Sequence, residues 1–185
     1  MYKWTTDQVE PKHRFDHWRE VRARGLFGVT AELEAEQRPQ FSGEFSLRTI
    51  GTASLIELRA SPYHVERSAA DIAHAPGASL CIYQQLGGGG WFGVNGGGEF
   101  TLRQGSFATS HSDRPYRTMP LTDDGFHLRI LKVPAADFIM RHADLHNLFP
   151  KAFCGQPSLT PLLESCFSDL TELAIAAIPP CQRRW

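Results

Sequence analysis

The residue types that most often bind metal ions are scattered through this sequence. Its eight histidines include no His-x-His pair, and its four cysteines include no Cys-x-x-Cys pair. Isolated histidines are more often surface or hydrogen-bonded residues than ligands, and this description fits His64, His74, His111 and His127. We therefore predict no metal site, no cofactor, and free thiols in a reducing cytoplasm.

Two further patterns resemble catalytic or phosphate-binding motifs only superficially. Ser110, His111 and Asp113 are too close in sequence to converge as a triad, because neighbouring side chains of a strand point to opposite faces. The run Gly87–Gly90 lacks the Gly-Lys-Ser/Thr that follows in a phosphate-binding loop, and Trp91 begins a β-prone segment instead. We interpret the run as a turn, and we predict that the chain is not an enzyme.

The bulk composition is that of a globular domain. Of the 185 residues, 42% are hydrophobic and 21% are charged, and the net charge is −1. A chain this close to neutral has no electrostatic footprint for nucleic acid, so the short cluster of Arg19, Arg22 and Arg24 is interpreted as a solvated face. No apolar run approaches the roughly 20 residues of a membrane helix, and the N-terminus lacks a signal peptide.

Short β-prone segments separated by Gly, Pro and Asn extend from Phe41 to about Pro134. Strands at this spacing are typical of an antiparallel barrel or sandwich. The step Val94-Asn95-Gly96 favours a hairpin, because a type I′ turn needs positive φ at both central residues. The predicted strands are Phe45–Ile50, Ser54–Ala60, His64–Ser68, Ser79–Leu86, Trp91–Val94, Glu99–Arg103, Phe107–Ser110 and Phe126–Val133.

A short amphipathic helix is predicted before the strands, from about Lys12 to Arg24. Its apolar stripe consists of Phe15, Trp18 and Val21, and the charged residues lie elsewhere. Pro11 suits the first helical position and Gly25 suits the residue just past the end.

Two helices are predicted after the strands, from Ala135 to about His146 and from Thr160 to Ile178. Thr160 caps the second helix, and Pro179-Pro180 ends it. The predicted organisation is therefore an N-terminal arm and helix in residues 1–40, a barrel in 41–134 and a helical segment in 135–185.

Five stretches occur in a defined order from Phe15 to Pro134. They are Phe15-Asp16-His17-Trp18-Arg19-Glu20, Leu58-Arg59-Ala60-Ser61-Pro62 with Val65-Glu66-Arg67, the hairpin from Gly90 through Asn95-Gly96 to Leu102-Arg103-Gln104-Gly105, Ser112-Asp113-Arg114-Pro115-Tyr116, and Leu128-Arg129-Ile130-Leu131-Lys132-Val133-Pro134. In this order they resemble the N-terminal, cupin-like AraC-binding domain of AraC/XylS-type transcription regulators.

The resemblance implies a mainly β fold, a cupin-like antiparallel barrel or jelly roll with a short N-terminal helix and a C-terminal helical segment. It also implies a small-molecule-sensing and dimerisation domain. The family binds DNA through a helix-turn-helix part that this chain lacks, so DNA would be contacted only through an absent C-terminal domain. Two alternatives stay open: a cupin-type metal-dependent dioxygenase or isomerase, which the missing histidine cluster disfavours, and a structural dimerisation module with a filled barrel.

The predicted effector pocket is the inside of the barrel, where polar residues in otherwise apolar strands are the natural contacts. Arginine guanidinium groups can bind a carboxylate, and tyrosine and tryptophan rings can stack on an aromatic ligand. Each of these side chains can equally face outward. The candidates are Arg48, Arg59, Tyr83, Gln85, Trp91 and His127.

The last helix is the predicted dimerisation element. Its apolar residues follow the i, i+3, i+4, i+7 pattern of one broad stripe, and the family resemblance implies pairing through helices after the barrel. The predicted seam of a homodimer consists of Leu163, Phe167, Leu170 and Ala174. The alternative is that this stripe packs on the domain's own sheet.

Overall fold

The computed structural model describes residues 2–94, 98–137, 151–152 and 159–176. The described helices are α1 (Arg14–Gly25), α2 (Ala69–His74) and α3 (Leu159–Ala176), with single 3-10 turns at Thr6–Gln8, Pro11–His13, Arg38–Gln40 and Ala135–Asp137. The described strands are β1 (Tyr2–Thr5), β2 (Thr30–Glu32), β3 (Gly43–Ile50), β4 (Ala53–Ala60), β5 (His64–Arg67), β6 (Ser79–Gly87), β7 (Gly89–Val94), β8 (Gly98–Arg103), β9 (Phe107–His111), β10 (Tyr116–Pro120), β11 (Phe126–Pro134) and β12 (Lys151–Ala152).

The strands form two antiparallel sheets that share one core. The larger sheet has the order β1-β3-β4-β11-β6-β9-β12, and the smaller sheet has the order β2-β5-β10-β7-β8. Buried residues of both sheets, such as Ile56 and Ile130 in the larger and Val65 and Phe92 in the smaller, belong to the same hydrophobic cluster. The mainly β fold with flanking helices predicted from the sequence is confirmed.

All eight predicted strands are present, each within two residues of its predicted ends. Four strands were not predicted: β1, β2, β10 and β12. β1 and β2 lie in the predicted N-terminal arm, yet they are edge strands of the two sheets. β12 lies in the predicted helical segment and pairs with β9. The hairpin at Val94 is confirmed, since β7 pairs with β8, and its turn residues 95–97 lie outside the described part.

α1 closes the gap between the sheets with an aromatic face. Phe15 and Trp18 are almost fully buried, and both rings pack against Phe41 and Tyr63 at centroid distances of 5.1 to 6.3 Å. The prediction that Arg22 lies on a solvated face is wrong. It follows Phe15 by seven residues and Trp18 by four, which is the spacing of one helical face, and only 5% of its surface is exposed.

α3 packs on the outer face of the larger sheet. The Phe167 ring is 1% exposed and meets the Phe107 ring at a centroid distance of 5.6 Å. Leu163 and Leu170 are partly buried against the same cluster, which also contains Leu55. The inward stripe predicted as a dimer seam therefore belongs to the chain's own core, and the side chain of Ala174 lies outside the described part.

The other predicted helix, from Ala135 to about His146, is described only in its first residues. Ala135–Asp137 form a single 3-10 turn there, and the rest of the segment lies outside the described residues. No helix in the described part of the chain is long and apolar enough to cross a membrane.

Two glycines fix tight connections at one end of the strands. Gly88, with φ of +63°, connects β6 of the larger sheet to β7 of the smaller, as predicted for a turn in the glycine run. Gly125 has φ of +75°, and a Cβ there would lie 2.0 Å from the carbonyl oxygen of Ala60. Both backbone conformations favour glycine, because L side chains rarely adopt positive φ.

Candidate functional site

A line of polar side chains runs through the interior between the two sheets. Alternation along β6 sends Tyr83 and Gln85 inward, whereas Ile82, which precedes Tyr83, packs outward under α3. Tyr116 and Thr118 of β10 are also buried. We call Tyr83, Gln85, Ser110, Tyr116 and Thr118 the interior polar track.

The hydroxyl groups of this track are protonated at neutral pH. Burial raises the pKa of both Tyr83 and Tyr116, and it raises the pKa of the neighbouring Cys81 thiol to about 12. The Ser110 hydroxyl donates to the Tyr83 oxygen at 3.4 Å. The interior can therefore offer hydroxyl hydrogen bonds, while its thiol is an inert core group.

Two acceptor atoms of the track have no hydrogen-bond partner among the described residues. The Gln85 amide donates from Nε2 to the Gly87 carbonyl at 2.7 Å, but its Oε1 is buried without a partner. Thr118 Oγ1 is likewise buried without a hydrogen-bond partner. A buried polar atom without a hydrogen-bond partner destabilises the fold unless a water or a ligand bonds to it. A polar ligand group that hydrogen-bonds to either atom would therefore gain binding free energy.

Three cationic side chains converge on the carbonyl groups that follow α1. Arg22 donates from Nη1 to the Phe27 carbonyl at 3.5 Å. Arg67 of β5 donates to the Gly28 carbonyl, and Lys132 of β11 donates to the Leu26 carbonyl. Three consecutive carbonyls therefore each accept from a different element. Burial lowers the pKa of Lys132, whereas arginine keeps its charge even in an interior.

Arg67 donates hydrogen bonds from all three of its side-chain nitrogens. Besides the Gly28 carbonyl, its guanidinium donates to the carbonyls of Ser112 at 3.1 Å and Ala75 at 2.8 Å. Its Nη2 also lies 3.4 Å from Asp113 Oδ1. These contacts join β5 to three separate loops. They also bring together two of the stretches on which the family resemblance rests, Val65-Glu66-Arg67 and Ser112-Asp113.

Asp113 binds the backbone of the loop that precedes β6. It accepts hydrogen bonds from the backbone N–H groups of Gly77 at 2.6 Å and Ala78 at 3.0 Å. Although burial alone would raise the pKa of this carboxyl, these hydrogen bonds lower it below its usual value. Asp113 therefore holds the loop before β6 as an ionised group at neutral pH.

The six predicted effector contacts do not form one site. Tyr83 and Gln85 lie in the interior. The other four lie elsewhere: Arg48 donates to the Thr171 carbonyl of α3 at 3.5 Å, and the Trp91 indole donates to Glu99 at 3.3 Å on the outside of the smaller sheet. Arg59 and His127 line an open groove of about 650 Å³ on the outer face of the larger sheet.

Arg59 and His127 therefore belong to a surface ladder rather than to the interior. His127 Nε2 lies 3.7 Å from Glu57, which also pairs with Arg129 at 3.0 Å. The groove mixes acidic and basic groups that already contact one another, so it has no evident specificity for one ligand.

The interior residues that sequence reasoning missed are Arg22, Ser110, Tyr116, Thr118 and Lys132. One signal was available for Arg22, a charged residue at the spacing of an apolar helical stripe. Tyr116 and Thr118 were missed because β10 was not predicted. Ser110 and Lys132 lie on predicted strands, β9 and β11, but nothing in the sequence shows which face of those strands is the interior.

No group of three or more metal-ligating side chains occurs among the described residues. His111 is fully buried, and its Nδ1 accepts from the Asp113 backbone N–H at 3.1 Å. Its environment is that of a hydrogen-bonded core histidine. Ser110 faces the Tyr83 hydroxyl in the interior.

Comparison with protein families matches residues 18–182 to the AraC-binding-like domain. The match covers most of the chain, so the protein belongs to this family. The sequence resemblance to AraC-type regulators is thereby confirmed. A comparison with curated proteins found no match.

The crystal structure of the AraC-like transcriptional activator CuxR has the same fold. The match has a TM-score of 0.78 at 17% identity and covers 98% of this chain but 63% of CuxR. Identity at this level shows the shared cupin-like fold alone, and the chain spans less than two thirds of that activator's length.

More distant matches cover about half of the chain. An HTH_3 family transcriptional regulator from Vibrio cholerae matches with a TM-score of 0.39 at 14% identity over 50% of this chain and 51% of its own. Oxalate decarboxylase from Bacillus subtilis matches with a TM-score of 0.36 at 9% identity over 54% of this chain and 26% of its own. Scores this low carry no argument about function.

Proposed function

We infer that this domain is the non-enzymatic, effector-sensing part of a cytoplasmic AraC-type transcription regulator, and that the effector binds in the barrel interior. Membership of the AraC-binding-like family supports the class. The observation that carries the site is the pair of buried acceptors, Gln85 Oε1 and Thr118 Oγ1, that no described residue satisfies. DNA contact is assigned to a separate helix-turn-helix domain of the regulator.

A sensor must bind its ligand more tightly in one of its two states than in the other. The interior polar track is suited to this requirement because its neighbours belong to several elements. The Tyr116 hydroxyl of β10 interacts with Arg22 of α1, and Tyr83 of β6 contacts Ser110 of β9. A ligand between these groups would bias how α1 and both sheets fit together.

The substitution Thr118→Val tests the interior site, since it removes the unsatisfied hydroxyl while keeping the side-chain shape. We expect the ligand-free variant to gain about 1–3 kcal/mol in free energy of unfolding, the cost of an unpaired buried polar group. A compound that raises the melting temperature of the wild type should bind the variant about five-fold more weakly, the value of one hydrogen bond.

The measurement is a thermal-shift screen of the wild type with aromatic acids, amines and sugars, followed by titration of each hit against the variant. Thr49→Val, an exposed position on β3, is the matched control and should change neither quantity. A screen without a single hit, or hits that bind Thr118→Val unchanged, would contradict the interior site.

We also propose that the domain forms a homodimer through α3, with a seam that differs from the one predicted. The outward face of α3 carries residues at intervals of four, three and four, which is the spacing of a coiled-coil seam. These residues are Leu162, Cys166, Asp169 and Leu173. Leu162 is 67% exposed and Leu173 is 60% exposed. The inward Leu163, Phe167 and Leu170 already pack on the sheet.

The double variant Leu162→Glu/Leu173→Glu tests this seam. Burial of a leucine is worth about 1.5–3 kcal/mol, so two per protomer can support a micromolar dimer after association costs. We expect sedimentation to show a monomer that unfolds at the wild-type denaturant concentration when both are measured at high dilution.

Leu170→Glu is the contrasting variant, because Leu170 lies on the inward face. We expect it to lose stability rather than to dissociate, since a carboxylate would be forced against the sheet. A wild type that sediments as a monomer at tens of micromolar, or a double variant that stays dimeric, would rule the outward seam out.

A further inference from the structure

The interior of the barrel carries more positive than negative charge. Arg22 and Arg67 are buried, Lys132 is half-buried, and all three donate to the carbonyls of Leu26, Phe27 and Gly28. Among the described residues, the one carboxylate in an ion pair with any of these cations is Asp113, and it pairs with Arg67. Buried charges are ordinarily paired with an opposite charge.

The two arginines differ in how completely they are bonded, although both stand beside the same ring. The Cζ atoms of Arg22 and Arg67 lie 5.9 and 5.0 Å from the centroid of Phe27. Arg67 reaches three carbonyls and a carboxylate. Arg22 has one long hydrogen bond, 3.5 Å to the Phe27 carbonyl, and an interaction with the Tyr116 hydroxyl.

Arg22 therefore has donor capacity that its described neighbours leave unused. A guanidinium has five N–H donors in a planar fork that matches a carboxylate or a phosphate. It stands where the α1 segment meets the interior polar track, with the Tyr116 hydroxyl beside it and the aromatic ring of Phe27 below it. An anion in this position would gain a desolvated cation as its partner and would lie next to apolar walls.

We propose that the effector of this domain carries an anionic group, a carboxylate or a phosphate, and that Arg22 binds it inside the barrel. The proposal rests on the effector-sensing function proposed above and names the chemical class of the ligand. Lys132 adds a second positive charge at the Leu26 carbonyl, and the Tyr116 hydroxyl contributes a neutral hydrogen bond. The remainder of the ligand lies along the polar track toward Gln85 and Thr118.

A purely structural role for Arg22 makes the opposite prediction for the empty domain. Cations at a helix C-terminus are stabilised by its carbonyl groups, so Arg22 could serve only to cap α1. In that case its replacement would destabilise the empty domain. If Arg22 is instead retained for a ligand, the empty domain holds an unpaired buried charge, and an apolar residue of similar length would be tolerated or favoured.

The experiment compares the wild type with Arg22→Met, Arg22→Lys and the control Arg24→Met. Arg24 is exposed on the same helix and pairs with Glu20 at 2.9 Å. The probes are benzoate and phenyl phosphate, each against a neutral compound of similar shape, benzamide and benzyl alcohol. For each protein we measure the melting temperature without ligand. For each protein and probe we measure the Kd by calorimetry at constant ionic strength.

We expect the anionic probes to bind the wild type and Arg24→Met alike, and to bind Arg22→Met at least ten-fold more weakly. Arg22→Lys should recover part of this loss because it keeps the charge. Without ligand, Arg22→Met should melt at or above the wild-type temperature.

Three results would overturn the proposal, and they are distinguishable from one another. An Arg22→Met variant that melts lower than the wild type and binds anions unchanged assigns Arg22 to capping. Neutral probes that bind as tightly as anionic ones contradict the anionic class while leaving effector sensing intact. If no probe of either kind binds in the interior, the effector site and the anionic class fail together.

Discussion

Arg67→Met is expected to lower the free energy of unfolding by about 3–5 kcal/mol, the range for removing one partner of a buried ion pair. The Arg67 side chain is fully buried, and the change would leave the carbonyls of Gly28, Ala75 and Ser112 without their donor. It would also remove the cation beside Asp113. Methionine fills a similar length but supplies no hydrogen bond.

The control for this prediction is Arg117→Met. Arg117 lies on neighbouring β10 and pairs with Glu66 at 3.2 Å, but its side chain is 68% exposed. Exposed pairs contribute about 0–1 kcal/mol, so urea unfolding of this variant should resemble that of the wild type. Equal stability of the two variants would show that the network around Arg67 does not hold the loops as described.

Phe167→Ala is expected to cost about 3–5 kcal/mol, the usual range for removing a buried aromatic ring. Phe167 is 1% exposed and packs edge to face on Phe107 at 5.6 Å. The flanking Leu163 and Leu170 bury less of their surface, so they cannot replace this anchor. The loss should appear first in α3, as faster hydrogen exchange of residues 159–176.

Leu173→Ala is the matched control on the opposite face of the same helix. Its side chain is 60% exposed, and surface substitutions are usually within about 0.5 kcal/mol. The measurement is made at a dilution where any dimer has dissociated. If Phe167→Ala lost less than Leu173→Ala, the docking of α3 on the larger sheet would be wrong.

The sequence is most informative where strands are long and bounded by turn residues. β3, β4, β6 and β11 were each predicted to within two residues, because their apolar runs end at Gly, Pro or Ser. β2 and β12 have only three and two residues, too few for a periodic pattern. They form because they pair with the edges of longer strands, β5 and β9. Such pairing depends on residues distant in sequence, so no local pattern predicts it.

The functional site is harder to predict because α3 covers part of the outer face of the larger sheet, so that apolar residues point to both faces. On β4, Leu55 packs under α3 and Ile56 packs in the interior. On β11, Leu131 packs under α3 and Ile130 packs in the interior. Alternation between polar and apolar residues is therefore weak along these strands. Arg59 and His127 face outward and Tyr83 faces inward, yet in the sequence all three are polar residues within otherwise apolar strands.

The carbonyls of residues 26–28 have a practical consequence for how the chain can be shortened. They accept from Arg22 of α1, Arg67 of β5 and Lys132 of β11, so this stretch ties the helix to both sheets. A truncation that began at β3 would remove Arg22 and Phe41, deprive Arg67 and Lys132 of these carbonyl acceptors, and uncover the Tyr63 ring, on which Phe15 and Trp18 of α1 pack. α1 is thus a wall of the barrel, and expression fragments of this domain should keep it.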